Sequence, residues 1–398
     1  MRETIKNTIR HYDYLLAFLV IAIGIFGIFM VYAFGNGAGT PVSTNALFGQ
    51  LWTRQRIYII SGGVLMIIMS FIDYRLITKF YLGIYVLMMA LLIIVMLIGA
   101  DDGTNVARWI RIPLPGLGAV SMQPSEFAKL FMIVFLAKFL DVKRERFNNI
   151  FWLGLVLILI LVPFYLVMRQ PSLSASLVVL SLSVTILFVG GLYYRTILLG
   201  LVLISPGITL LVLDLMRDVP AFVPQMLGAF QWRRIETWLN PVLGSDEFLQ
   251  TQQSLYAISS GGLTGRGFLN NSHVIHGHND FVFSIVANQF GFVGAFFLLV
   301  VIALVIMRCI IIALRAEDMQ GRLIAAGVAG MLIFETFVHV SVTTNFLPNT
   351  GMPFPFLSFG GSMIWVHMMA IGIVLNVGIP RQKSMFDEIN EVDHEKNF

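Results

Sequence analysis

YLLAFLVIAIGIFGIFMVYA, residues 14–33, is an uncharged apolar run long enough, as a helix, to cross the roughly 30 Å hydrocarbon layer of a bilayer. MRETIKNTIR precedes it, and neither flank carries a small-residue cleavage site, which predicts a retained signal anchor with its N-terminus in the cytoplasm. Comparable runs recur near 57–72, 80–99, 126–140, 151–168, 175–193, 196–213, 281–307, 323–342 and 363–379. The 398-residue chain is 57% hydrophobic and 12% charged, with a mean hydropathy of +0.83. Soluble domains carry roughly 25% charge. Backbone polar groups must be satisfied internally in lipid. The expected fold is therefore an all-α integral membrane protein: a single polytopic domain over 1–398, a bundle of about ten transmembrane helices with one long extracytoplasmic loop.

Positive charge orients the bundle. With the N-terminus inside, the inner segments hold Arg2, Lys6 and Arg10; Arg75 and Lys79; Lys138, Lys143, Arg144 and Arg146; Arg195; Arg308, Arg315 and Arg322; and Arg381, Lys383 and Lys396. The outer side holds fewer, and several of those fall in the one long loop, which the rule weights least. Both termini are thus expected in the cytoplasm. The net charge of +4 follows from the inner loops and implies no nucleic-acid partner. The single cysteine, Cys309, can form no intrachain disulfide.

Polar sequence is concentrated in three connections. Residues 214–280 form a long segment containing QWRRIETWLNP, TQQSLYAISSGGLTGRGF and HGHNDF. Residues 100–125 carry ARWIRIP and QPS, and residues 343–362 read TTNFLPNTGMPFPFLSFGGS. Such backbone is tolerated at membrane depth only against protein or a water-filled cavity, so all three are expected to converge on one outward-facing cavity. No internal repeat is visible, which counts weakly against a transporter.

Asp280 is the only acid between Glu247 and Glu317, and it stands where the polar segment meets an apolar run. A carboxylate there serves either as a helix cap or, partly desolvated with His278 two residues away, as a general base. Glu126 and Lys129 are three apart on one helical face. They read either as a mutually neutralised pair or as a mark of a substrate path, with Lys129 facing a phosphate. Arg217, Arg233, Arg234 and Arg266 supply guanidinium groups suited to phosphate, against the plainer reading of solvated loop charge. Gly261, Gly262, Gly265 and Gly267 permit close backbone approach to a ligand, but the P-loop lysine is missing, so an ATP site is not supported. Glu335 and His339, four apart, read as a buried polar pair stabilising helix packing, and His367 as an interhelical hydrogen-bonder. No cluster has zinc spacing.

Taken together, the ordered motifs resemble the SEDS family (shape, elongation, division and sporulation). The likeness spans nearly the full chain: Asp13 and Gln55, ARWIRI then QPSEFAKL, QP at 170–171, RRI at 233–235, QSLYAISSGGLTGRGF, HNDFVFSI, and LPNTGMPFPFLSFGGS. The resemblance implies a peptidoglycan glycosyltransferase that polymerises lipid II beside a class B penicillin-binding protein transpeptidase. Its place would be the bacterial cytoplasmic membrane, with the active site facing outward. The family's essential aspartate matches Asp280 of the H-x-D-F motif. Trp109, Glu126 and Lys129 also match family positions, and substrate-binding roles are expected for them and for Arg233, Arg234, Gln253, Ser254, Arg266, His278, Ser358 and Ser362. No metal ligand is assigned, although a divalent cation, Mg or Mn, would suit a diphosphate.

Departures accompany the likeness. The family's QPDLGTA is here QPSLSAS, with Ser172 in place of an acid, and its EELG is Asn288, Gln289, Phe290, Gly291. The Asn and Gly residues typical of its ninth helix become His339, Ser341 and Asn345. Two further readings stay open at this point: a transporter of lipid II, which needs no base, and a non-catalytic scaffold for a transpeptidase.

Overall fold

The computed structural model describes residues 11–36, 45–101, 107–114, 118–143, 149–170, 172–217, 222–226, 229–242, 244–270, 274–275 and 277–380. Arg2, Lys6, Arg10, Arg144, Arg146, Pro171, Arg381, Lys383 and Lys396 lie outside the described residues.

The apolar runs are helical in chain order. They are α1 (Tyr14–Asn36), α2 (Asn45–Phe71), the short α3 (Tyr74–Lys79) and α4 (Tyr81–Ile98), followed by α5 (Pro124–Val142), α6 (Ile150–Arg169), α7 (Leu173–Val189) and α8 (Tyr194–Leu215). After the long polar segment come α12 (Val282–Arg315), α13 (Met319–Thr343) and α14 (Gly361–Val377). Four of these helices, at Tyr14–Asn36, Phe151–Arg169, Val282–Arg315 and Met319–Thr343, are long and apolar enough to cross a membrane by length and composition. Shorter apolar helices complete an all-α membrane bundle.

Position in the bundle follows from which residues must hide. The spanning window of α13 is 72% buried and that of α6 only 22%. Accordingly α13 packs against α5, α7, α12 and α14 at the centre, and α6 sits at the rim beside α4 and α7. The central helices also hold the buried charge, including Lys129 at 1% exposure and Glu335 at 1%.

One end of the bundle is clamped by ion pairs. Arg308 at the end of α12 binds Asp13 just before α1, and Arg75 of α3 binds Asp318, 2.9 Å away, at the start of α13. Asp318 also caps α13 by accepting from Gly321 N. Gln320 donates to Asp141 near the end of α5, at 2.8 Å. The polar connections gather at the opposite end, here called the cavity end.

Two of those connections are more ordered than irregular loops. The 100–122 segment folds as a three-stranded antiparallel sheet in the order β1 (Ala100–Asp101), β2 (Ala107–Leu114), β3 (Gly118–Met122). Trp109 lies opposite Ala100, and Ile110 opposite Met122. The aromatic and β-branched residues Trp109, Ile110 and Ile112 favour the extended backbone of a strand. The 214–280 segment contains α9 (Val223–Met226), α10 (Ala229–Leu239) and α11 (Asp246–Gly261).

The GGLTGRG stretch docks on a break in α12. Gly291 takes φ 65°, ψ −165°, so the Asn288 and Gln289 carbonyls lose the partners an unbroken helix would give them. They accept instead from Arg266 N at 2.9 Å and Gly267 N at 3.1 Å, while Phe292 N and Val293 N donate to Gly262 O and Leu263 O. A Cβ on Gly265 would overlap the Gln289 carbonyl. These glycines were expected to admit a ligand. The close approach they permit is to the backbone of α12.

Candidate active site

A cavity of about 390 Å³ opens at the cavity end. Each of the three polar connections reaches it: Trp109 and Ser121 from the sheet, Arg234 with His278, Asn279 and Asp280 from the long segment, and 350–353 with 359–362 from the Pro/Gly-rich segment.

Asp280 belongs to a turn that ends at Phe281, the N-cap of α12, whose side chain gives no capping hydrogen bond. The carboxylate therefore stands just before the cap and lines the cavity. Arg234 of α10 donates from Nη1 to the Asn349 carbonyl at 3.0 Å. Between carboxylate and guanidinium passes Gly351, at φ +67°. A Cβ there would lie 3.3 Å from both Asp280 Oδ2 and Arg234 Nη1, so the two charged groups are at most twice that distance apart. The strap carrying Gly351 is pinned by Ser174 Oγ donating to Thr350 O at 3.0 Å and Asn349 Nδ2 donating to Gln250 Oε1 at 3.1 Å.

The turn bearing Asp280 is held by residues from α1, α13 and the Pro/Gly-rich segment. Ser358 Oγ donates to Asn279 O at 2.7 Å and accepts from Phe354 N at 2.8 Å. Phe359 N donates to His278 O at 2.9 Å, and the His278 ring packs 4.8 Å from Phe34 and 5.7 Å from Phe359. Phe283 N donates to His339 Nε2 at 3.4 Å, leaving Nδ1 to donate to Met352 O at 2.7 Å. His339 thus ties the first turn of α12 to the strap.

The expected pairing of Glu335 with His339 is corrected by these contacts. Glu335 instead binds Lys129, with Oε1 2.6 Å from Nζ, and His367 through its other oxygen. Lys129 Nζ also lies 2.6 Å from Glu126 Oε2, so one ammonium bridges two carboxylates from α5 and α13, and His367 of α14 closes the chain. Desolvated charges persist only with such partners. Glu126 lines the cavity and Lys129 lies behind it. Lys129 therefore does not face a phosphate: both carboxylates already claim it.

The expected site residues separate cleanly. The cavity gathers Asp280, His278, Trp109, Glu126, Arg234 and Ser362. Ser362 Oγ accepts from Gln123 N at 3.0 Å and donates to Ser121 O at 3.2 Å, joining the sheet to α14. Outside it stand Arg233, one residue along α10 and so turned by about 100° toward an exposed groove beside Glu236, and Arg266, exposed on the GGLTGRG loop. Gln253 Oε1 accepts from Ile275 N at 2.8 Å, and buried Ser254 donates to Thr343 O at 2.8 Å. Ser358 is fully buried behind the Asp280 turn. These last three build the frame and do not line the chamber.

Sequence reasoning missed Arg54 and Tyr58, both of which line the cavity from α2. Their spacing of four at the head of an apolar run was the available signal. It also missed the helix ends. α5, α7 and α14 begin at Gln123, Ser172 and Gly360, all on the cavity wall, and none has a side-chain cap. Helix N-termini carry unsatisfied N–H groups and a partial positive charge. With Arg54 and Arg234 they bring positive character to a cavity wall that also carries Glu126 and Asp280.

Among the described residues no three His, Cys, Asp or Glu side chains cluster as a metal cage. Of the two carboxylates on the cavity wall, Glu126 is paired with Lys129, and Asp280 is the one suited to a divalent ion held otherwise by phosphate oxygens and water, a mode that Mg²⁺ uses.

A helical membrane bundle with a polar cavity at one end, lined by Asp280, Glu126, Arg234 and the starts of three helices, defines a class: a multi-pass membrane protein with a polar chamber built into its bundle. The chain belongs to the FtsW/RodA/SpoVE family of cell cycle proteins, whose profile matches residues 13–383. It is 32% identical to stage V sporulation protein E of Bacillus subtilis (strain 168) over 378 residues, covering 92% of this chain and 96% of that protein. It is 33% identical to the peptidoglycan glycosyltransferase MrdB of Escherichia coli (strain K12), covering 81% of this chain and 84% of that one. Its fold matches a chain of a solved peptidoglycan synthase complex, described as coordinating polymerization and crosslinking, with a TM-score of 0.74, 28% identity, and coverage of 92% and 97%.

Proposed function

We propose that the protein is a peptidoglycan glycosyltransferase that polymerises lipid II at the outer face of the bacterial cytoplasmic membrane, beside a class B penicillin-binding protein. The observation that carries this reading is the placement of Asp280 and Arg234 on either side of Gly351 in one cavity. In the transfer, the bond from the anomeric carbon of the donor sugar to its diphosphate oxygen breaks. A hydroxyl oxygen of the acceptor sugar forms the new glycosidic bond, its proton passes to Asp280, and the diphosphate leaves with the bonding electrons. Arg234 and the N-termini of α5, α7 and α14, which line the same cavity, supply the positive character that stabilises the departing charge. A bound Mg²⁺ or Mn²⁺ would add positive charge at the diphosphate, with the Asp280 carboxylate to hold it. The apolar bundle suits the polyprenyl tail and the cavity suits the sugars. The transpeptidase partner rests on kinship, since the structural relative works within a synthase complex.

The test is glycan formation from lipid II by purified protein, with and without a cognate transpeptidase. Asp280→Asn should lower the rate by about 10²–10⁴-fold while the protein stays folded and inserted. Unchanged polymerisation by that variant rejects the base. Transbilayer movement of lipid II without any glycan would point to a transporter.

A further inference from the structure

Resting on that reading, we propose that Arg54 and Tyr58 of α2 form a second anion-binding wall of the cavity, which seats the diphosphate of the other lipid-linked sugar. Joining two such molecules brings two diphosphates into one chamber, and Arg234 stands beside only one position. Arg54 reaches the cavity from a different element, α2, whose Tyr58 packs against Phe359 and Gly361.

Several observations single out this pair. Among the described residues Arg54 has no ion-pair or hydrogen-bond partner, although it lines a cavity inside a membrane protein. Arg56, two residues on, is by contrast engaged over the Trp52 ring at 3.8 Å. Tyr58 is only 9% exposed, and among the described residues its hydroxyl has no hydrogen-bond partner, whereas buried tyrosine hydroxyls usually find one. Its ring is fixed between Phe359 and Trp365, each 5.9 Å away, and a Cβ on Gly361 would come within 2.9 Å of it. The ring cannot turn aside to seek another partner. One turn apart, guanidinium and phenol project from the same helical face and offer donors that match a phosphate flanked by a sugar.

Initial rates against lipid II concentration test the proposal on the purified full-length protein. Arg54→Gln should raise KM about tenfold or more with kcat little changed, as expected for a lost charge-assisted contact. Arg54→Lys should recover part of the loss, and Tyr58→Phe should raise KM a few-fold. Inorganic diphosphate should compete less well than farnesyl diphosphate if the lipid-linked form is the natural occupant, and equally well if diphosphate alone is read. An unchanged KM in Arg54→Gln overturns the inference. Equilibrium binding of farnesyl diphosphate keeps it separate from the reading beneath it. Should the wild-type protein make no glycan, weaker binding by Arg54→Gln would still support the wall, and equal binding would overturn it.

Discussion

Gly351 and Lys129 are the two residues whose replacement should most sharply separate activity from stability. Gly351 sits at φ +67° with two charged groups 3.3 Å from its missing Cβ. Gly351→Ala then costs about 1–3 kcal/mol of backbone strain and pushes Asp280 or Arg234 aside. Glycan synthesis should fall at least tenfold with only a small drop in the melting temperature, measured by thermal-shift fluorescence in detergent. Lys129→Met should do the reverse first. It leaves Glu126 and Glu335 buried without their common partner, a loss of about 3–5 kcal/mol. The same thermal-shift measurement should show a fall of several degrees, and a melting temperature equal to wild type would mean that the carboxylates have found other partners. Asp280 was legible in the sequence as an isolated acid. The true partner of Glu335 was not, because His339 and His367 offer the same chemistry, and only the packing of α14 against α13 decides between them.

At the scale of elements, composition marked where the helices run, because length and hydropathy suffice for that. It was less informative about what the polar connections do. The 100–125 stretch read only as a polar connection, since its strands are short and their partners are chosen by tertiary pairing. The GGLTGRG loop was misread for a related reason: glycine reports that something approaches closely, not what approaches. Here it is the backbone of α12 at Gly291. Gly265→Ala should therefore undock the loop. Hydrogen exchange read by mass spectrometry should show faster exchange across Arg266–Gly267 and Phe292–Val293, whose amides bridge the two segments. Unaltered protection at those amides would show that the docking tolerates the added methyl group.

The molecule as a whole has a polar cavity at one end and an ion-pair clamp at the other, and its proposed orientation follows from the charge of its connections. Cys309 is fully buried, so the natural chain gives a low background for thiol labelling. With the cavity facing outward, a membrane-impermeant maleimide should label Arg233→Cys in intact cells and reach Glu317→Cys only after permeabilisation. The opposite pattern would reverse the assigned orientation. Both positions are accessible, Arg233 being exposed and the Glu317 side chain 41% exposed.

The break at Gly291 divides α12 into a long shaft and a short head, and the head follows directly on Asp280. The 262–267 loop grips that joint through main-chain bonds on both sides. A pull or push on the loop therefore travels along the backbone to the head, with no side-chain rotamer to absorb it. The acid is mounted on the short arm of a lever whose handle lies on the surface.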